Sequence, residues 1–230
     1  MSVMARDYGQ YCALAHALDV VGGRWSLLIV RDLLTGPKRF KDLEVGLPGI
    51  PTNVLTARLK ELEEAGVVRR QLLPRPARGV GYELTDYGRA LEEPLVKLGL
   101  WGARSLGPLA EGQPVSIDGL SLALRGAFQS NAAAGVTRTY EVTLDGRSLR
   151  VGLDDGRLSI TTNGADQGGA DAGLATSPAL LLGLLFGQVR VDDAIAAGQL
   201  TVTGSKAEAR RFFKLFQLSP APAPATESHR

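Results

Sequence analysis

The residues with the clearest chemical implication lie between Lys38 and Arg78. Asn53, Thr56 and Lys60 are spaced by three and four, so on a helix they share one face. Their side chains suit the major groove: Asn pairs bidentately with adenine, Thr offers a hydroxyl and a methyl, and Lys suits guanine or phosphate. Thr52 falls beside them in the first turn, whose amide groups favour an anion, and Arg58 lies on the flank. Leu55, Leu59 and Leu62 occupy the opposite face and predict docking onto a core. Lys38, Arg39 and Lys41 come before this helix and Arg75 and Arg78 after it, the latter two in the run Pro74-Arg75-Pro76-Ala77-Arg78-Gly79. A helix reading base edges between flanking phosphate contacts is the pattern of duplex binding. The bland alternative is a solvated amphipathic helix with ordinary surface charge around it; the grouping is what favours nucleic acid.

Catalytic chemistry finds little support. The only histidines are His16, within a predicted helix, and His229. No nucleophile elbow, metalloprotease helix or phosphate loop is present, and Gly204-Ser205-Lys206 lacks the upstream glycine spacing. Asp154 and Asp155 read as turn formers. No enzyme activity, cofactor or metal site is expected. Cys12 is the single cysteine, so no disulfide within the chain and no thiolate zinc site can form, which fits a cytoplasmic protein. Met1 to Asp7 has no signal pattern. The longest uncharged stretch, Ala172 to Val189, is interrupted by Pro178, Gly183 and Gly187. It reads as a buried helix, since spanning a bilayer takes about 20 mostly apolar residues.

The formal net charge is +2, unevenly spread. Residues 36–82 carry 9 Lys/Arg against 5 Asp/Glu. A local basic patch is what phosphate contact requires, whatever the overall balance.

Hydrophobic periodicity then supplies the elements that must hold these residues. Tyr11 to Val21 predicts a helix with Leu14, Leu18 and Val21 on its apolar face. Trp25 to Leu34 predicts another, with Trp25, Leu28, Ile29 and Leu33 facing a core. A short helix around Phe40 and Leu43, the Pro51–Ala65 helix ended by Gly66, and a hairpin with a basic tip follow. Thr85-Asp86 starts a last helix to about Arg104, interrupted at Pro94. Leu91, Leu95, Leu98 and Trp101 form its stripe, which with Leu14 predicts a two-fold dimer interface; packing on the second domain is the alternative. The expected organisation is a winged helix-turn-helix domain over residues 1–106, a linker over 107–116, an α+β domain over 117–218 and a disordered tail over 219–230.

The second half alternates differently. Leu120 to Ala134 predicts a helix. Segments around Thr139–Leu144, Leu149–Leu153 and Leu158–Thr162, joined at Asp145-Gly146 and Asp154-Asp155-Gly156, predict an antiparallel meander. Apolar helices from Ala179 and Lys206 and a strand at Leu200–Val202 complete an antiparallel sheet covered by helices.

The blocks Gly22-Gly23-Arg24-Trp25-Ser26-Leu27-Leu28, Gly36-Pro37-Lys38-Arg39-Phe40-Lys41-Asp42-Leu43, Leu55–Gly66 and Tyr82-Glu83-Leu84-Thr85-Asp86-Tyr87-Gly88 resemble the HxlR family of bacterial winged-helix regulators. They cover about residues 8–105 in order. The resemblance implies a homodimeric, one-component regulator on double-stranded DNA, with the Pro51 helix reading a roughly palindromic operator and the Arg75/Arg78 loop as wing. Many members have Cys-Pro where this chain has Cys12-Ala13. Some sense thiol-reactive compounds through that cysteine, so the resemblance leaves Cys12 either a redox sensor or a packed, inert thiol.

Asp192 to Ser205, with the Phe-rich helix after it, resembles the sterol carrier protein type two fold. That likeness implies an apolar tunnel lined by Leu181, Leu184, Leu185, Phe212 and Phe216; a filled core is the alternative. Two functions follow: a DNA-binding regulator modulated by an apolar small molecule or lipid, or a lipid carrier whose winged helix binds another protein.

Overall fold

The computed structural model describes residues 8–73, 79–107, 109–110, 113, 115–162 and 168–218. The chain divides into two compact units, Met1–Leu95 and Val96–Arg230.

The first unit contains helices α1 (Ala13–Val21), α2 (Ser26–Leu33), α3 (Phe40–Gly46) and α4 (Thr52–Glu64), strands β1 (Val68–Leu73) and β2 (Gly79–Leu84), and the short α5 (Asp86–Arg89). Ile29, Leu33, Leu43, Leu47, Leu55, Leu59, Leu62 and Leu84 are essentially inaccessible. Burial of each such side chain contributes about 1.5–3 kcal/mol. The core side of α2 is Ser26, Ile29, Val30 and Leu33; Leu28 is exposed and Trp25 precedes the helix in a left-handed conformation, so the predicted face was rotated. The face predicted for α1 is likewise revised, because Ala15 and Val21 are buried while Leu14 and Leu18 are exposed.

β1 and β2 pair antiparallel from Val68↔Leu84 to Leu73↔Gly79. Lys38 adds a bridge, its N–H donating to the Tyr82 carbonyl at 3.0 Å and its carbonyl accepting from Tyr82 N–H at 2.8 Å. Thr85 joins the hairpin to the helices: Oγ1 donates to the Gly66 carbonyl at 2.6 Å and accepts from Gly88 N–H at 3.1 Å. Gly88 is needed for the close approach, since a Cβ there would lie 2.1 Å from the Val67 carbonyl oxygen.

The break predicted at Pro94 falls earlier. α5 ends at Arg89 and α6 spans Glu92–Ala103, which puts Pro94 in the first turn of α6. There its missing N–H costs no intrahelical bond, so interrupting the chain upstream is cheaper than kinking it at the proline. The division between the units falls within α6.

The second unit adds α7 (Ile117–Ala127), a 3₁₀ turn (Ser130–Ala133), β3 (Thr137–Leu144), β4 (Arg147–Asp154), β5 (Arg157–Thr161), β6 (Ala172–Thr176), α8 (Pro178–Leu185), α9 (Val191–Ala196), β7 (Thr201–Thr203) and α10 (Lys206–Leu215). The sheet order is β5-β4-β3-β6-β7. β3 and β6 are parallel, so the sheet is mixed and the purely antiparallel expectation is corrected. β6 also takes the first part of the stretch expected to be one buried helix; only Pro178–Leu185 of that stretch is α-helical. The two Asp-Gly hairpin turns behave as read: Asp145/Gly146 and Asp155/Gly156 all have positive φ, the twist that suits tight antiparallel connections. Inward residues Tyr140, Val142, Leu149, Val151 and Leu174 meet Leu124 of α7, Leu181 of α8 and Phe212 and Phe216 of α10 in one buried cluster. Tyr140 donates its hydroxyl hydrogen to Glu208 Oε2 at 2.9 Å. Burial first, and this carboxylate second, hold the phenol above the ordinary tyrosine range.

Candidate nucleic-acid interface

α4 is held by Leu55, Leu59 and Leu62, all buried, and begins behind Pro51, whose extended backbone sets the helix entry. Thr52, Asn53, Thr56, Ala57 and Lys60 are exposed on the face away from that core. Asn53 lies in the first turn of α4 with its side chain exposed, where the amide can pair with a ligand. Thr56 Oγ1 donates back to the Thr52 carbonyl at 2.9 Å. Thr52 Oγ1 donates to Glu44 Oε1 at 2.7 Å, and the other oxygen of Glu44 accepts from Lys41 Nζ at 2.6 Å. Lys41, first among the causes, and Thr52 hold the Glu44 carboxyl below the ordinary range.

The flanking cations are less open than their spacing suggested. Lys38 is only 6% exposed and sits in the bridge to Tyr82, so its expected role as an open phosphate contact is revised. Arg39 is half-buried, and its N–H donates to Asp42 Oδ2 at 3.0 Å at the start of α3. Arg58 turns along the helix to Glu61, and its guanidinium packs where a Cβ on Gly23 would stand. Lys60 Nζ lies 3.6 Å from Glu64. On the hairpin, Arg69 pairs with Glu83 at 2.6 Å, and Arg70 pairs with Glu63 at 3.3 Å while lying over the Tyr82 ring. Arg75 and Arg78 lie outside the described residues. The counter-charges Glu44, Glu61 and Glu64 were missed as site residues, although their spacing of three or four from Lys41, Arg58 and Lys60 announces such pairs.

Of the stripe expected at a dimer interface, Leu95 is buried within the chain and Leu91 is half-buried. Leu14, Leu98 and Trp101 stay exposed, at 68%, 48% and 67%. Leu122 approaches Gly99 within the second unit, so part of α6 packs on α7. Cys12 is a free thiol, exposed in the single chain.

Leu181, Leu184, Leu185, Phe212 and Phe216 are all buried in the cluster of the second unit, where Phe212 and Phe216 stack at 4.4 Å between centroids. A cavity of about 380 Å³ in this unit is lined instead by Glu141, Thr143, Asp171, Gly173, Thr203 and their neighbours. Among the described residues no group of three or more His, Cys, Asp or Glu side chains is placed to hold a metal ion, and no single helix is long and apolar enough to cross a membrane.

A helix-turn-helix with a β-hairpin wing, followed by a mixed sheet covered by helices, is therefore the class of protein this chain represents. Residues 20–109 match the HxlR-like helix-turn-helix family and residues 123–217 the SCP-2 sterol transfer family. The Bacillus subtilis protein YvaP, an uncharacterized HTH-type transcriptional regulator, is 41% identical over 92 residues, covering 40% of this chain and 85% of YvaP. The HTH-type transcriptional regulator YodB of the same organism is 40% identical over 88 residues, covering 38% of this chain and 79% of YodB. A solved structure of reduced YodB shares 36% identity with a TM-score of 0.37, covering 44% of this chain and 100% of that one. The chain belongs to the HxlR-like helix-turn-helix family and carries a second, SCP-2-like unit.

Proposed function

We propose that the chain is a homodimeric, cytoplasmic regulator that binds double-stranded DNA sequence-specifically through α4, a binding protein rather than an enzyme. One observation carries this reading: Leu55, Leu59 and Leu62 are buried while Thr52, Asn53, Thr56 and Lys60 stand exposed together on the opposite face. Arg39 approaches the backbone beside α4, and Lys41, Arg58 and Lys60 reach phosphate by exchanging their carboxylate partners. Arg75 and Arg78 act as the wing. The exposed Leu14, Leu98 and Trp101 are covered by the second copy, and two-fold symmetry then sets two recognition helices about 34 Å apart, one turn of DNA.

An apolar small molecule or lipid in the SCP-2-like unit modulates DNA affinity by preferring one arrangement of the dimer. The family match supports this effector role; its seat between α8, α10 and the sheet requires Leu181, Leu184, Leu185, Phe212 and Phe216 to part. Cys12, exposed ahead of α1, is available to thiol-reactive compounds.

The test is fluorescence anisotropy with an operator selected from a randomised duplex pool. The Arg75→Ala/Arg78→Ala double variant loses affinity for every sequence, and its log–log salt slope flattens by about 2 per protomer pair of contacts. Undiminished affinity in that variant overturns the wing assignment, and failure of the wild type to select any duplex overturns DNA reading by this face.

A further inference from the structure

We infer that Glu44 is a specificity-determining residue: it fixes Thr52 as a hydrogen-bond acceptor toward the bases and keeps Lys41 from gripping phosphate indiscriminately. The inference deepens the proposed DNA reading and rests on it.

The argument starts from donor and acceptor capacity. A hydroxyl has one hydrogen to donate and two lone pairs to accept with, whereas an ionised carboxylate only accepts. Thr52 Oγ1 lies 2.7 Å from Glu44 Oε1, so its one hydrogen is committed to Glu44. Thr56 Oγ1 lies 2.9 Å from the Thr52 carbonyl, another pure acceptor, so its hydrogen is committed as well. Both hydroxyls at the start of α4 therefore face outward with lone pairs only. In the major groove the partners that donate are the amino groups of adenine and cytosine; guanine and thymine offer acceptors at the equivalent edge. The polarity of Thr56 is built into the helix itself. That of Thr52 depends on a side chain from α3, which makes Glu44 the residue that sets it.

The second oxygen of Glu44 holds Lys41 Nζ at 2.6 Å, and the lysine side chain is otherwise open to solvent. A phosphate must displace Glu44 to capture this ammonium, so a loosely seated duplex finds it already neutralised. The same carboxylate thus acts on base choice through Thr52 and on backbone affinity through Lys41, and the two effects separate by substitution.

The full-length protein is assayed by anisotropy on a random-sequence 40-base-pair duplex and on duplexes selected by the wild type, with the base opposite Thr52 varied. Glu44→Gln keeps an amide oxygen for Thr52 but removes the charge from Lys41. Its base preference is retained while the salt slope steepens by about 0.9 per protomer, equivalent to about eightfold tighter binding to the random duplex at 0.1 M salt for each protomer engaged. Glu44→Ala steepens the slope equally and also tolerates guanine or thymine where the wild type demands an amino-bearing base. Thr52→Val loses the preference with an unchanged slope, and reads the polarity independently should Glu44→Ala melt early. Glu141→Gln, an equal charge change in the second unit, leaves both quantities at wild-type values. Wild-type slope and preference in Glu44→Ala overturn the inference, as does a preference for guanine or thymine opposite Thr52 in the wild type. A wild type that binds neither duplex instead refutes the DNA reading beneath it.

Discussion

Replacing Asn53 with alanine separates recognition from stability. The side chain is exposed at the second position of α4 and holds nothing in the fold, whereas two turns of the same helix are anchored by Leu55, Leu59 and Leu62. Alanine is the better helix former by up to about 0.7 kcal/mol, so the variant folds at least as well as the wild type. Its loss appears only on DNA. A bidentate contact to adenine is worth about 1–3 kcal/mol of discrimination, which is about 5- to 150-fold at one half-site. A two-fold dimer carries the residue twice, so the energy doubles on a symmetric operator when the contacts are independent. The assay is a binding titration on the selected operator and on duplexes with one adenine replaced per half-site. Asn53→Ala should bind all of them with the same reduced affinity, while its salt slope matches the wild type because no phosphate contact is lost. Leu59→Ala serves as the contrast: it costs about 2–5 kcal/mol of stability by leaving a cavity in the core, and weakens binding to every duplex through unfolding. An Asn53→Ala protein that keeps its base preference, or that loses salt dependence in place of preference, refutes the assignment of this face to base reading.

Two further substitutions probe the units. Gly88→Ala forces a methyl to within 2.1 Å of the Val67 carbonyl oxygen, which neither backbone segment can avoid without moving; urea denaturation of the full chain should show a loss of about 1–3 kcal/mol in the first transition. Tyr140→Phe removes the hydroxyl shared with Glu208 and should cost about 1 kcal/mol at neutral pH. Because the folded phenol is held above the ordinary value of about 10, its contribution is whole below that pH and is lost as pH rises beyond it. The wild type should therefore weaken above pH ~10 more steeply than Tyr140→Phe, as followed by circular dichroism; parallel curves would dismiss the linkage.

Much of the exposed face of α4 was visible in the sequence because the helix is amphipathic: the leucine spacing alone dictates which residues face away from the core. The Asp-Gly turns were equally plain, since positive φ at two successive positions selects those residues. β6 was not, because Ala172-Gly173-Leu174-Ala175-Thr176 has little strand propensity and is stabilised by its two neighbours in the sheet. The faces of α1 and α2 were misjudged for a different reason. Both helices expose leucines, and periodicity cannot distinguish an apolar side chain packed in its own core from one left for another surface. Lys38 shows the complementary error, a cation counted as surface charge that backbone pairing with Tyr82 draws inward. The electrostatic state of the site was the least legible: counting 9 basic against 5 acidic residues gives the patch its sign, but not that the acids sit on the very side chains that define it.

The parallel pairing of β3 with β6 has a consequence for how the protein reaches its native state. Tyr140 aligns with Ala172, and between them the chain completes two hairpins with tight turns. Those hairpins close locally and early, whereas the central seam of the sheet waits for a distant segment of weak intrinsic preference to arrive. During synthesis the helical unit is already outside the ribosome while one margin of β3 still lacks its neighbour. The second unit is thus the slower to mature, and the interval before β6 docks is when an unpaired strand margin is most exposed to association with other chains.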